Sequence, residues 1–320
     1  MNPAGGFCIS TRRFMLHYNT MKHALGCAAA LLLALAAPAT AAPRVVVTLK
    51  PLHSLVAAVM DGVAVPTLLL PNATSPHTYS LRPSETRALA NADIVLWVGP
   101  ALETFLAKPL ASIATRAEVI GLAESAGLAL LELRQAGIGE HVHDHGDAHD
   151  MHFWLDVGNA QQVVTFVAAT LAQRDPENMA RYAANAVRVV EQLRALDAEL
   201  AILLAPAAQQ PFLTLHDGFQ YLEARYALRG LGTLTVNPDR VPGAKGMAAM
   251  RAVIADAGVA CVFGEPQFPA ALGKALTEGT SARLVVVDSL GAAQPAGPGA
   301  YGATLRGLAQ AFAGCLGLTP

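Results

Sequence analysis

The sequence predicts an α/β fold of two lobes, each a parallel-type sheet with flanking helices, joined by one long rigid linker helix. Three observations predict it. Short β-branched runs alternate with helical stretches at the spacing of βαβ units in both halves of the chain. A single amphipathic stretch, free of Gly and Pro over residues 177–205, stands between the two series. What remains after the presequence, about 278 residues, is long for one core and favours two lobes.

Residues 1–41 read as a secretory signal peptide. They hold no acidic residue; Arg12, Arg13 and Lys22 precede the apolar run at 28–37, and Ala39-Thr-Ala41 is a small-x-small cleavage site. The apolar run is too short to span a bilayer comfortably. Cys27 precedes that run instead of ending it, which argues against lipid attachment. Loss of Arg12, Arg13 and Lys22 takes the basic residues from 22 to 19 against 24 acidic ones, a net charge of about −5 with neutral His. No basic face speaks for nucleic acid.

The first lobe is expected at 42–174. Its strands are residues 44–48, 65–70 and 93–98, and its helices 51–60, 84–91 and 103–112. Asp156 can cap a helix running to about Gln173. Asp175-Pro176 then opens the linker, placed at 175–206: Asp as N-cap with Pro at the first helical position is a strong start signal. Met179, Tyr182, Ala186, Val189, Leu193, Leu196, Leu200 and Leu203 recur at spacings of three and four. At about 1.5 Å per residue this is a rod of roughly 45 Å. The same spacing would suit a coiled-coil pairing helix, but βα alternation resumes directly after it. The second lobe, 207–320, has candidate strands at 211–215, 233–236, 259–263 and 283–287, with a closing helix at 304–315.

Cys8 and Cys27 leave with the presequence, so Cys261 and Cys315 are the mature cysteines. Two thiols in an exported chain most simply form one disulfide; two free buried thiols are the alternative. The bond would close a loop of 54 residues, worth about 4 kcal/mol in the chain-entropy model.

Chemistry concentrates at 141–152, where His141, His143, His145, His149 and His152 are interleaved with Asp144, Asp147 and Asp150. Neutral imidazoles with carboxylates suit a borderline divalent metal, zinc above all. Ligands of open parallel sheets bind beyond the carboxyl ends of the strands. His77 follows a strand through a loop, His216 and Asp288 stand just after strands, and His152 precedes a helix. Three imidazoles and one carboxylate across a cleft would satisfy tetrahedral zinc. A water in the fourth position would instead leave a catalytic site, with Glu265 as the best candidate base.

The chain resembles the periplasmic zinc-binding proteins of ABC-type uptake systems, the ZnuA-type solute-binding proteins. The likeness runs from about Val46 to Cys315 and rests on short motifs in a fixed order. Lys50-Pro-Leu-His-Ser54, Pro76-His-Thr-Tyr-Ser-Leu-Arg-Pro-Ser84, Ala92-Asp-Ile-Val-Leu-Trp-Val-Gly99 and Met151-His-Phe-Trp-Leu155 carry it in the first half. Leu215-His-Asp-Gly-Phe-Gln-Tyr221, Thr235-Val-Asn-Pro238, Cys261-Val-Phe-Gly-Glu-Pro-Gln-Phe268 and Val287-Asp-Ser-Leu-Gly291 carry it in the second.

The resemblance implies metal ligands at His77, His152 and His216, with Asp288, water or a loop residue as the fourth. It also implies a Cys261–Cys315 disulfide and no enzymatic activity. A histidine at 216, where manganese-binding relatives look like they carry Glu, favours Zn2+ over manganese or iron. The expected role is capture of zinc in the periplasm by a monomer and delivery to an inner-membrane ABC-type permease. The loop 141–150, with His141, His143, His145 and His149, would be an auxiliary weak collecting site. His53 is expected as a hydrogen-bonding or packed imidazole.

Overall fold

The computed structural model describes residues 41–70, 74–77, 79–134, 138, 148–235 and 243–317. The signal-peptide reading of 1–41 therefore lies almost wholly outside the described residues, as do His141, His143 and His145. Among the described residues no helix is long and apolar enough to cross a membrane.

The first sheet consists of β1 (Val45–Val47), β2 (Thr67–Leu68), β3 (Ile94–Trp97) and β4 (Glu118–Gly121), in the order β2-β1-β3-β4 and parallel throughout. Around it lie the helices α1 (Lys50–Val59), α2 (Pro83–Asn91), α3 (Ala107–Ile113) and α4 (Leu122–Ser125). β4 is a strand that the hydrophobic pattern does not announce: only Val119 and Ile120 mark it, and Val119 is exposed because the strand forms the sheet's edge. Residues 131–133 and 148–150 then pair antiparallel as a short stem at the base of the His/Asp-rich segment.

Asp156 caps α5 (Val157–Arg174), its carboxylate accepting the Asn159 N–H at 3.0 Å, as the sequence predicts. The long helix α6 (Met179–Leu204) follows, flanked by 3-10 turns at Pro176–Asn178 and Ala205–Ala207, and joins the lobes. Its 26 residues make about 39 Å of α-helix. The apolar stripe from Tyr182 to Leu204 is buried against α5 and α1, so the spacing serves intramolecular packing. Asn185 on α6 donates to the carbonyls of Val59 (2.9 Å) and Asp61 (2.8 Å), capping the otherwise unsatisfied end of α1.

The second sheet repeats the first. Its strands β5 (Phe212–His216), β6 (Gly230–Thr235), β7 (Cys261–Gly264) and β8 (Arg283–Val286) run parallel in the order β6-β5-β7-β8. The helices are α7 (Gln220–Tyr226), α8 (Ala244–Ala257), α9 (Ala270–Thr277) and α10 (Ala300–Leu316). Cys261 on β7 and Cys315 on α10 are joined in a disulfide. Phe263 and Phe312, stacked with ring centroids 3.9 Å apart, pack the same helix onto the same strand.

One apolar core runs through both lobes, from Val46 and Leu96 through Leu193 and Leu200 to Phe212 and Phe263. Polar bonds on the same side tie the lobes further. Lys50 Nζ donates to the carbonyls of Ala292 (2.9 Å) and Gln294 (3.0 Å), and Trp154 Nε1 to that of Ser289 (3.0 Å). The Tyr301 hydroxyl donates to the Trp154 carbonyl at 2.8 Å. A continuous core with direct cross-bonds opposes wide opening.

Candidate metal centre

Three imidazoles from three parts of the chain meet where the two sheets' carboxyl ends face each other. His77 lies in the loop beyond β2, its backbone N–H held by Ser75 Oγ at 3.3 Å. His152 leaves the antiparallel stem and enters the 3-10 turn Phe153–Leu155. His216 is the last residue of β5. One nitrogen of each lies within 4.8 Å of the others. Two bonds of about 2.0–2.1 Å to a tetrahedral zinc leave its nitrogen ligands about 3.4 Å apart, so small side-chain movements close the difference. The Nε2 atoms of His77 and His216 are buried without a hydrogen-bond partner, and such atoms in a native interior ask for a ligand. The three residues fit a metal ion.

The topology explains why His216 is well held. The chain leaves β5 for β6 on one side, while β7 pairs on the other, so the ends of β5 and β7 flank a switch point. Glu265, the first residue after β7, accepts a bond from His216 Nδ1 at 2.8 Å and so leaves Nε2 to face the cavity. The other Glu265 oxygen accepts the Ser289 hydroxyl at 2.5 Å.

His152 has the same backing by another route. Asp150 Oδ1 accepts from its Nδ1 (2.7 Å) and from its backbone N–H (2.9 Å). Tyr221 on α7 fixes the stem, donating to the Asp150 carbonyl (2.6 Å) and accepting the Leu131 N–H (3.0 Å). Arg134, at the stem's other strand, pairs with Asp217 and with Glu223 (2.7 Å).

Asp150, Asp217, Glu223 and Glu265 thus stand near one guanidinium and the rings of His152 and His216, a balance that favours an added cation. Burial pushes the His77 imidazolium down to about 2, and its two histidine neighbours push the same way. Burial opposes charge on His152 too, but Asp150 in contact, with Glu265 and Asp217 nearby, holds it above the usual histidine range. Glu265 is buried, yet His216 and Ser289 keep it below the usual carboxylate range. The three rings line a narrow cavity of about 10 Å³.

Asp288, the expected fourth ligand, does not join the group. Its oxygens accept the backbone N–H groups of Leu290 and Ala293, each at 3.2 Å, because the chain turns back on itself directly after β8. His53 sits apart, buried and bonded through Nε2 to the Pro66 carbonyl at 3.0 Å. His149 is exposed on the stem, opposite Glu132. The residue pattern names Glu265 as a candidate base and Asp150 as one of a His/Asp cluster; their role behind His216 and His152 is what it did not assign. The Asp-x-His spacing at 150–152 and the position of Glu265 just past a strand were their only signals.

The family model for ZnuA, the periplasmic component A of zinc-uptake complexes, matches residues 45–315. The chain belongs to the ZnuA family. The high-affinity zinc uptake system protein ZnuA of Brucella abortus is 38% identical over 329 aligned residues, covering 92% of this chain and 98% of the relative. That of Yersinia pestis is 34% identical, covering 94% and 100%. Among solved structures, a crystal structure of ZnuA has a TM-score of 0.75 at 24% identity, covering 86% of this chain and 99% of the other. The periplasmic zinc-binding protein TroA of Treponema pallidum has 0.73 at 22%, with coverage of 86% and 99%. At these identities the structural likeness speaks for the fold: two parallel-sheet lobes on a long helix, shared across ZnuA and TroA. The family is one of solute-binding zinc-uptake components of the periplasm.

Proposed function

We propose that this chain captures Zn2+ through His77, His152 and His216 in the cleft between its lobes and delivers it to an ABC-type permease in the inner membrane. The observation that carries the ligand set is the convergence of three ring nitrogens, two of them buried and unpartnered, within 4.8 Å. Imidazole nitrogen suits zinc, and carboxylates behind two of the three rings set their tautomer and raise their basicity. Membership of a periplasmic family supports reading residues 1–41 as an export signal, and in this reading the mature chain acts as a monomer. The segment 141–150 acts as an auxiliary weak collecting site for zinc.

A manganese or iron carrier would favour oxygen donors, and no carboxylate of the described residues joins the three nitrogens. A zinc hydrolase would need a free base, whereas Glu265 has both oxygens engaged by His216 and Ser289. Competition titration of the mature protein against a chromophoric chelator tests the proposal. His216→Ala abolishes tight zinc binding, and removal of 141–147 leaves it nearly intact. An unchanged dissociation constant in His216→Ala would take that residue out of the ligand set.

A further inference from the structure

The three histidines leave a fourth position to be filled; Asp150 and Asp217 each keep an unpartnered oxygen but do not line the cavity, and the other nearby carboxylates are engaged. Asp288 accepts two backbone N–H groups of its own turn, and Glu265 holds His216 and Ser289. One polar side chain on the cavity wall is not committed. Gln267, two residues beyond Glu265, lines the same cavity as the three rings. Both its amide oxygen and its amide nitrogen are buried without a hydrogen-bond partner.

An amide with both ends unsatisfied in a buried wall is costly, and the cost is recovered only when something in the cavity bonds to it. An amide oxygen is a poor match for zinc beside three imidazoles. It is a good acceptor for a water bound to zinc, whose protons are made acidic by the ion.

We infer that Gln267 is a positioning residue: its amide oxygen accepts a hydrogen bond from the water that completes the coordination of zinc. The inference rests on the three-histidine reading above. It makes the fourth ligand a solvent molecule fixed from the second lobe, and it gives the short Glu265-Pro-Gln267 turn two tasks. Glu265 orients a ring and Gln267 orients the water.

The test uses Gln267→Leu, close in size, with Gln267→Glu as the variant that keeps an acceptor. Zinc affinity falls about 10- to 100-fold in Gln267→Leu and recovers in Gln267→Glu. A spectroscopic arm separates this from a packing defect. Loaded with Co2+ and titrated with azide, Gln267→Leu exchanges its loosened water at about one-tenth the azide concentration the wild type needs, read from the visible absorption bands. Unchanged zinc affinity and an unchanged azide midpoint overturn the inference. So does a loss in Gln267→Leu that Gln267→Glu fails to restore. Should Gln267→Leu not fold, Gln267→Met takes its place in both arms. Failure of the wild type to bind Zn2+ or Co2+ at all would instead overturn the three-histidine reading.

Discussion

Both sheets run in the same strand order, yet the two lobes deliver their histidines by different means. In the second lobe His216 ends a strand and its partner Glu265 follows the adjacent strand, so the sheet's own hydrogen bonds set the geometry. In the first lobe neither histidine sits on a strand. His77 hangs on a loop, and His152 on a stem fastened by Tyr221 and Arg134 to the opposite lobe. The cores differ in the reverse sense. The first lobe merges with α5, α6 and α10 in the large common core. The outer face of the second sheet, around Leu213, Leu234, Met250 and Ile254, forms a separate small cluster. The lobe with the better-fixed candidate ligand is thus the one with the more divided core. Local precision at a metal site is supplied by strand pairing and does not require the larger share of buried apolar surface.

The disulfide offers the hardest test of that contrast. It ties β7, and through it Glu265, to a helix of the common core. Replacing Cys261 and Cys315 by Ala costs about 2–5 kcal/mol of stability, read from denaturant unfolding of the metal-free protein. Zinc affinity of the protein that stays folded changes little, because β5 and β7 still pair. A large loss of affinity with little loss of stability would reverse the comparison.

A smaller effect separates the two carboxylates. Asp150→Asn and Glu265→Gln each weaken zinc binding about 10- to 100-fold. Asp150→Asn lies at the upper end, since Asp150 holds both the ring and the backbone of His152 on a stem, whereas β5 still fixes His216 without Glu265. Equal losses in a competition titration would show that the sheet confers no advantage.

The gentlest probe is pH. If His152 is a ligand as proposed, zinc must displace the proton that Asp150 favours on it, so affinity falls about tenfold for each unit of pH below that ring's raised value and levels off above it. Asp150→Asn moves the break to lower pH. In the metal-free protein the two first-lobe rings act oppositely. His152, raised by its carboxylate, adds stability that is fully present below about pH 6.5 and lost as pH rises through its folded value. His77, pushed down to about 2, makes the fold less stable as pH falls below about 6.5, because the unfolded chain takes a proton that the native ring refuses. Calorimetric titrations in buffers of different ionisation enthalpy count the released proton; none released near pH 7 would refute the assignment.

Much of this molecule is readable along the chain because its causes are local. Asp156 reaches an amide three residues on, the stripe of α6 follows helical periodicity, and His216 directly follows the strand residues Phe212-Leu-Thr-Leu215. The paired Cys261 and Cys315 needed only their number and their compartment to suggest a bond. The strand β4 escaped because two apolar residues at a half-exposed edge make no pattern.

What the sequence by itself determined, then, is the alternation of elements, the linking helix and the identities of three histidines near strand ends and a helix start. Only the tertiary structure decided which carboxylates serve them. Glu265 meets His216 across 49 residues because β7 and β5 are neighbours in the sheet, and Tyr221 reaches the Asp150 carbonyl across 71 because a helix of one lobe lies on the stem of the other. Asp288 has the right residue type in the right stretch, yet two backbone N–H groups of its own turn take its oxygens first. Hydrogen bonds are short and directional, and spacing along the chain does not record which distant groups packing brings within reach.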